Sequence, residues 1–265
     1  MNPRISIIMG IYNCDKTLSE AIDSILNQTY GEWKLIICDD GSTDSTYQVA
    51  LSYAEKYPKK IILIKNKRNM GLNYTLNHCL KYADTEYVAR MDGDDISLPI
   101  RLEKEIHFLD GHPEYAIVSS PMIYFDDSGE FRRGKGLGEP EVSSFVHGTP
   151  FCHAPCMVRR SAYIAVNGYA VDAKRLRVED WDLWLRMYEK GYRGYMLSEP
   201  LYKMRDDRNA YSRRKLKYRI NESRVILSCV SKLKLPKWMA IFSLRPIMVG
   251  LLPKCIYLTL HKISK

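Results

Sequence analysis

Apolar positions in the first 120 residues follow two alternating rhythms. Short apolar runs at 5–9, 34–38, 61–64, 87–91 and 116–119 have the length of buried strands. Between them lie segments with helical spacing at 17–28, 45–57, 71–83 and 99–110. Leu18, Ala21, Ile22, Ile25 and Leu26 show that spacing in the first helix. Strands alternating with helices of this length predict parallel βαβ units, a mostly parallel central sheet flanked by helices. After about residue 120 the rhythm breaks. Asp126-Asp127-Ser128-Gly129 reads as a turn, and a helix at 182–190 ends at Gly191, a C-terminal cap. Strands at 192–196 and 201–204 are expected to close the sheet, and the chain beyond 210 reads as helical.

Composition changes this picture little, but charge divides it. The 265 residues are 46% hydrophobic and 27% charged, ordinary for a folded α/β protein. The net charge of +9 is uneven: residues 203–265 hold 16 Lys/Arg against 3 Asp/Glu, and residues 1–202 hold 24 against 28. The expected division is a ligand-binding body at 1–205 and a basic helical tail at 206–265. Such a tail suits nucleic acid, an anionic membrane surface or a solvated helix face. The seven cysteines include no CxxC pair and sit in apolar surroundings, as reduced thiols of a cytosolic protein do. Cys152, His153 and Cys156 lack the second ligand pair of a zinc site. The N-terminal apolar run is too short for a signal peptide, and no apolar stretch is long enough to span a bilayer.

In an open parallel sheet, ligands bind at the carboxyl ends of the strands. Those ends carry Tyr12-Asn13, Asp39-Asp40-Gly41-Ser42, Lys67-Arg68-Asn69 and Asp92-Gly93-Asp94-Asp95. Neither GxGxxG nor GxxxxGK[ST] occurs. Three carboxylates within four residues repel one another unless a cation joins them, and Mg²⁺ or Mn²⁺ uses one or two carboxylates plus phosphate oxygens and water. The spacing alone fits a metal site and a solvated turn equally well. Asp40 suits a hydrogen bond from a base N–H, while Ser42, Thr43 or Asp44 suits the cap of the next helix. Arg68 suits a base or phosphate, or is a solvated cation. Glu179-Asp180 precedes Trp181-Asp182-Leu183-Trp184: a general base with apolar walls, or acids placed on a helix dipole.

These motifs, in this order, resemble the family 2 glycosyltransferases with their GT-A fold. The resemblance begins at Ile5-Ser6-Ile7-Ile8-Met9-Gly10-Ile11-Tyr12-Asn13 and continues through Ser24-Ile25-Leu26-Asn27-Gln28-Thr29-Tyr30 and Asp39-Asp40-Gly41-Ser42-Thr43-Asp44. It includes Asn69-Met70-Gly71-Leu72, Ala89-Arg90-Met91-Asp92-Gly93-Asp94-Asp95, Pro99-Ile100-Arg101-Leu102 and Glu179-Asp180 with Asp182-Leu183-Trp184, covering about residues 4–205. The resemblance implies an inverting single displacement from a nucleoside-diphosphate sugar, first of all a UDP-sugar, with transfer of a hexosyl or N-acetylhexosaminyl group. It places Tyr12, Asn13, Asp40 and Arg68 around the nucleotide. Asp92 would lie near the ribose or a metal-bound water, and Asp94 would ligate Mn²⁺ or Mg²⁺. Asp180 would be the general base, with Glu179 beside it. Trp181, Trp184 and His153 fall on the acceptor side, although His153 also reads as a satisfied structural histidine.

Gly10 stands where a proline is common, and Met204-Arg205-Asp206-Asp207 replaces a histidine-bearing stretch, which puts a third, histidine metal ligand in doubt. The spanning helices and Gln-x-x-Arg-Trp motif of the processive synthases are absent, so transfer of a single sugar is expected. The tail mixes apolar runs with cations at 236–242 and 245–254. It resembles tails of bacterial transferases that build polysaccharide repeat units on polyprenyl-diphosphate lipids. That implies a cytoplasmic protein held peripherally at the inner face of the membrane. The competing expectation is a nucleotide-sensing binding module whose basic tail grips nucleic acid; a tail packed on the body or on a second copy is the plainer one.

Overall fold

The structure is a computed structural model that describes residues 2–206 and 215–251. The repeating first half folds as its pattern predicts. Strands β1 (Ile5–Ile11), β2 (Trp33–Asp39), β3 (Ile61–Lys65) and β4 (Tyr87–Asp92) alternate with helices α1 (Leu18–Leu26), α2 (Thr46–Lys56) and α3 (Leu72–Leu80). β1 is paired in parallel with both β2 and β4. These inner strands are apolar without alternation because helices cover both sheet faces. Leu18, Ala21, Ile22 and Ile25 of α1 are all fully buried, each aliphatic side chain worth about 1.5–3 kcal/mol. β5 (Ile96–Ser97), α4 (Arg101–Gly111), β6 (Ile117–Ser119), β7 (Met122–Asp126) and β8 (Gly129–Arg133) follow.

The strands of the second half depart from expectation in two places. β9 (Met157–Arg159) inserts antiparallel between β4 and β6, so 116–119 does not lie beside the fourth strand. A three-residue strand is too short to show a period. After α5 (Arg160–Ala165) and α6 (Glu179–Glu189), β10 (Gly194–Met196) closes the edge of a seven-stranded sheet in the order β10-β6-β9-β4-β1-β2-β3. β11 (Tyr202–Arg205) does not close that sheet. It joins a second sheet, β5-β11-β7-β8, and lies across the end of β4. The predicted turn at 126–129 is the hairpin between β7 and β8.

α6 begins three residues before the expected start, with Glu179, Asp180 and Asp182 all in its first turn, where the helix dipole favours acids. It stops at Gly191 (φ 86), where Gly191 N–H donates to Tyr188 O and Tyr192 N–H to Met187 O. That pair of bonds is the Schellman closure a left-handed glycine permits.

The described part of the chain beyond residue 214 packs on the body. α7 (Leu216–Lys232) buries Val225, Ile226, Cys229 and Val230 in the apolar cluster that holds Trp181 and Trp184. The 3₁₀ segment Lys237–Ser243 and α8 (Leu244–Leu251) pack on α7. The basic runs at 207–214 and 252–265, with Pro253, Lys254 and Cys255, lie outside the described residues. Among the described residues no helix is long and apolar enough to cross a membrane, and the six described cysteines form no disulfide.

Candidate active site

The strand order turns back at β1 and β4, the crevice where open α/β sheets bind ligands. The turn Asp92–Asp95 ends β4 there and is held from several sides. Thr17 Oγ1 donates to Gly93 O at 3.0 Å. A Cβ on Gly93 would meet Cys14 Sγ at 2.9 Å and Ile11 Cγ2 at 3.0 Å, so the close approach of the β1 loop requires glycine. From the opposite side, Tyr202 Oη accepts from Asp92 N–H at 3.2 Å, and Arg205 N–H donates to Asp95 Oδ1 at 2.8 Å. This explains the placement of β11: it clamps the acidic turn instead of extending the main sheet. Buried Arg90 donates to Asp92 Oδ1 at 2.6 Å.

The three carboxylates of the turn differ. Burial, then the charge of Asp92, raises the Asp94 carboxyl above its ordinary range. Burial, then Asp92 and Asp94, pushes buried Asp95 up further. Asp95 works as a structural link to β11, while Asp94 lines the cleft. Beneath the turn, Arg101 and Glu105 form a fully buried ion pair at 3.2 Å, and Arg101 Nη2 donates to Arg90 O at 2.8 Å. The Pro-Ile-Arg-Leu stretch is thus a pin under the site.

The nucleotide-side residues cluster at the ends of β1, β2 and β3. Tyr12 is 46% exposed. Asn13, at φ 48, uses its side-chain oxygen to accept from Thr43 N–H at 2.9 Å, stitching the β1 and β2 loops together. Asp40 is buried and accepts from Asn66 Nδ2, Met70 N–H and Gly71 N–H, each at 2.8 Å. Three of roughly four acceptor positions are occupied, leaving one for a base N–H. Asp40 thereby shapes the loop carrying Arg68, which is exposed and has no side-chain partner among the described residues. The cap position of α2 is Ser45, one residue beyond the expected Ser42, Thr43 or Asp44, and Asp44 Oδ1 accepts from Thr46 N–H at 3.0 Å just before it.

Glu179 and Asp180 stand at the start of α6. Burial, then the charge of Glu179, raises the Asp180 carboxyl to about 6. Of the two tryptophans expected as acceptor-side walls, Trp181 keeps an edge on a cavity beside Asp180 and Trp184 does not. Trp184 is fully buried, edge-on to Phe151 and His153 with ring centres 5.8 Å away. Trp181 is 7% exposed and donates its indole N–H to Phe145 O at 3.0 Å. The aromatic spacing of the helix reports its core face, an amphipathic signal that sequence cannot separate from a stacking platform. His153 borders the site, but its Nε2 lies 2.8 Å from Tyr169 Oη, and burial, then Arg90, holds its pKa well below 6.5, so the ring is neutral and structural.

One cleft of about 650 Å³ gathers Asp92, Asp94, Glu179, Asp180 and His153. Tyr12, Asn13, Asp40 and Arg68 are not among its lining residues; they flank the crevice at the neighbouring strand ends. Among the described residues no group of three or more His, Cys, Asp or Glu is gathered to hold a metal. Asp92 and Asp94 still fit Mg²⁺ or Mn²⁺, which complete their shells with phosphate oxygens and water, and whose charge relieves the repulsion that raises Asp94.

Sequence reading missed four residues. Arg90 places a buried positive charge beside Asp92 and keeps its Nε without a hydrogen-bond partner among the described residues. Tyr202 and Arg205 clamp the turn. Arg177, in the left-handed region at φ 68, stands beside Asp180. Its loop is held by Asp182, which pairs with Arg175 at 2.9 Å and Arg186 at 2.8 Å, and by Asn221 of α7, which donates to Ala173 O and Leu176 O at 3.1 Å. Only Arg90 carried a signal, its place two residues before Asp92 on a buried strand.

The sequence model described as glycosyl transferase family 2 matches residues 6–166. The chain belongs to this family. It is 45% identical over 262 residues to the EpsE protein of Bacillus subtilis (strain 168), covering 98% of this chain and 94% of that protein. It is 28% identical, over 84% of this chain and 86% of the relative, to an Escherichia coli protein, WfaP. That protein is named as a UDP-Glc:α-D-GlcNAc-diphosphoundecaprenol β-1,3-glucosyltransferase. In fold it resembles a mannosyltransferase from Pyrobaculum calidifontis solved with GDP-Man and Mn²⁺. The TM-score is 0.66 at 16% identity, over 100% of this chain and 81% of that one. The central sheet flanked by helices is thus the GT-A fold.

Proposed function

We propose that this family 2 glycosyltransferase moves one hexosyl or N-acetylhexosaminyl group from a nucleoside-diphosphate sugar to a hydroxyl of a lipid-linked saccharide. The reaction is a metal-assisted inverting displacement in cell-surface polysaccharide synthesis. The observation that carries this reading is the single cleft bordered by Asp92 and Asp94 at one side and Glu179 and Asp180 at another. Single displacement needs both a stabilised leaving diphosphate and a base for the acceptor within reach of one sugar.

Tyr12, Asp40 and Arg68 form the nucleotide end, with Asn13 holding the two loops in register. Asp94 is the metal ligand, and Asp92, tied to Arg90, is its supporting contact. The cation supplies neutralisation of the leaving diphosphate. Asp180, with its carboxyl raised to about 6, is ionised at neutral pH yet basic enough to take a hydroxyl proton. The donor named for WfaP supports a UDP-sugar, and the Mn²⁺ of the Pyrobaculum enzyme supports the cation. A protein working on a lipid-linked acceptor sits peripherally at the cytoplasmic membrane face. The nucleic-acid reading gains no support, because the described part of the basic tail packs into the body's core.

The test is a screen of sugar nucleotides with Mn²⁺ or Mg²⁺ and membrane lipid extract, with products identified by mass spectrometry. One donor turned over onto lipid is expected. No turnover of any donor would sink the proposal.

A further inference from the structure

A second cavity, of about 530 Å³, lies against the first and shares Thr149, Arg177 and Asp180 with it. Its remaining wall comes largely from the C-terminal helices. α7 contributes Arg219 and Ile226, and the segment from 242 to 249 contributes Phe242, Arg245 and Val249. Three guanidiniums, of Arg177, Arg219 and Arg245, therefore border one cavity beside the candidate base. Glu222 partners Arg219 at 2.7 Å. Glu222 and Asp180 also line the cavity, so its three arginines outnumber its carboxylates by one, and the cations without an ion-pair partner among the described residues are Arg177 and Arg245; its outer side is apolar.

The helix that forms the outer wall has two faces. Arg245 and Val249, four residues apart, face the cavity. Leu244, Met248 and Leu251 lie on another stripe of the same helix and are 53%, 64% and 67% exposed. Trp238 and Ile241, in the preceding turn, are 67% and 63% exposed. An apolar rim thus adjoins a pocket of cations. A ligand with a phosphorylated head and a hydrocarbon tail matches both features, whereas a neutral glycan matches neither.

We infer that this second cavity is the acceptor subsite: Arg177, Arg219 and Arg245 hold the diphosphate of a prenyl-diphosphate-linked sugar, and the apolar rim of α8 receives the prenyl chain. The inference rests on the proposed transfer reaction and locates its acceptor. Arginine suits the role because its planar fork binds phosphate oxygens in pairs. Asp180 lies on the wall common to both cavities, so a sugar tethered at its diphosphate presents its hydroxyl to the base from the side opposite the donor. The tail helices are then part of the acceptor site.

The test compares one acceptor sugar on two aglycones, a short prenyl diphosphate and a neutral alkyl chain. In Arg245→Glu, KM for the phosphorylated acceptor should rise by about tenfold or more, the size of a lost charge-assisted contact. KM for the neutral acceptor should not move. An equal rise for both, or no rise for either, overturns the assignment.

A second measurement does not depend on turnover. Geranyl diphosphate should bind the wild-type chain in calorimetry with UDP and Mn²⁺ already saturating, and bind Arg245→Glu at least about tenfold more weakly. Binding seen only when UDP is left out would place geranyl diphosphate in the donor cleft, and no binding to the wild-type chain in either case would leave the cavity without its ligand; each overturns the inference. If no donor is ever turned over but this binding holds, the transfer reading fails while the anionic lipid site stands.

Discussion

Two carboxylate clusters face one cleft, and their surroundings differ. The Asp92–Asp95 turn is gripped by Arg90, Tyr202 and Arg205 through backbone and side-chain bonds, so its charges are fixed in place and repel. At Glu179-Asp180 the neighbouring charge that is tied down is Asp182, by two arginines, leaving Asp180 raised by burial beside Glu179. Clamped, mutually repelling carboxylates suit a cation. A carboxylate without an ion-pair partner among the described residues, its pKa raised by burial to about 6, suits a proton. The chemical difference lies in what surrounds each acid, since the side chains themselves are the same.

The sharpest way to break this contrast is to exchange the chemistry at each cluster. Asp94→Ala should leave no measurable transfer and remove the dependence of donor binding on Mn²⁺, read by calorimetry with and without chelator. Asp180→Asn should lower kcat by about 10²–10⁴-fold while donor affinity holds, since a general base contributes about that much. The pH profile separates them further. Below about 6 the Asp180 carboxyl is protonated and cannot accept, so kcat/KM should climb with pH through about 6 and then level. That limb should vanish in Asp180→Asn. Normal turnover in that variant would refute the base assignment.

A next test asks whether the aromatic residues near Asp180 belong to the site or to the core. Trp184→Ala should destabilise the fold by about 3–5 kcal/mol in denaturant unfolding, the cost of emptying a fully buried indole site. Acceptor KM should change no more for one acceptor than for another. A selective loss of one acceptor without loss of stability would restore the sugar-facing role.

The metal side yields a smaller, pH-dependent effect. Asp94 and Asp95 carry raised carboxyl pKa values from burial and mutual repulsion. A raised folded-state pKa favours folding at pH below the ordinary carboxylate value. That contribution is lost as pH rises through the folded value. A cation offsets the repulsion of the ionised form and competes with protons for it. The gain in Tm from Mn²⁺ with UDP should therefore be larger at about pH 8 than at about pH 5, and absent at both in Asp94→Ala. A gain independent of pH would place the cation elsewhere.

These contrasts also mark what sequence patterning conveys. The alternation through residue 119 was legible because buried parallel strands and amphipathic helices each have a period, and the polar strand ends stand out against them. β9 was hidden, since a strand of three residues has no period, and β11 was legible as a strand at 201–204 but not in its sheet, which contacts across the fold set. Asp92, Asp94 and Asp180 were legible as acids in the right order. Which acid binds, which caps and which pairs was not, because Asp95 is spent on Arg205 N–H and Asp182 on Arg175 and Arg186. Arg177 was invisible for the same reason. Its position depends on Asn221, 44 residues onward in the chain.

The smallest effect is expected at Arg68, and it sharpens the contrast between loops built to hold and side chains left free. Asp40 fixes Met70 and Gly71, and a Cβ on Gly41 would come within 2.7 Å of the Arg68 carbonyl carbon, so the backbone of this loop is firmly seated. Its guanidinium is nevertheless exposed and unpaired among the described residues. Arg68→Ala should therefore leave Tm unchanged. It should weaken donor binding by about two- to fivefold, the scale of a solvent-screened charge contact. The loss should shrink as salt is raised, because an exposed cation is screened within about 10 Å at 0.1 M. Donor affinity unchanged at low salt would show that Arg68 is a solvated surface charge, leaving the nucleotide to Asp40 and Tyr12.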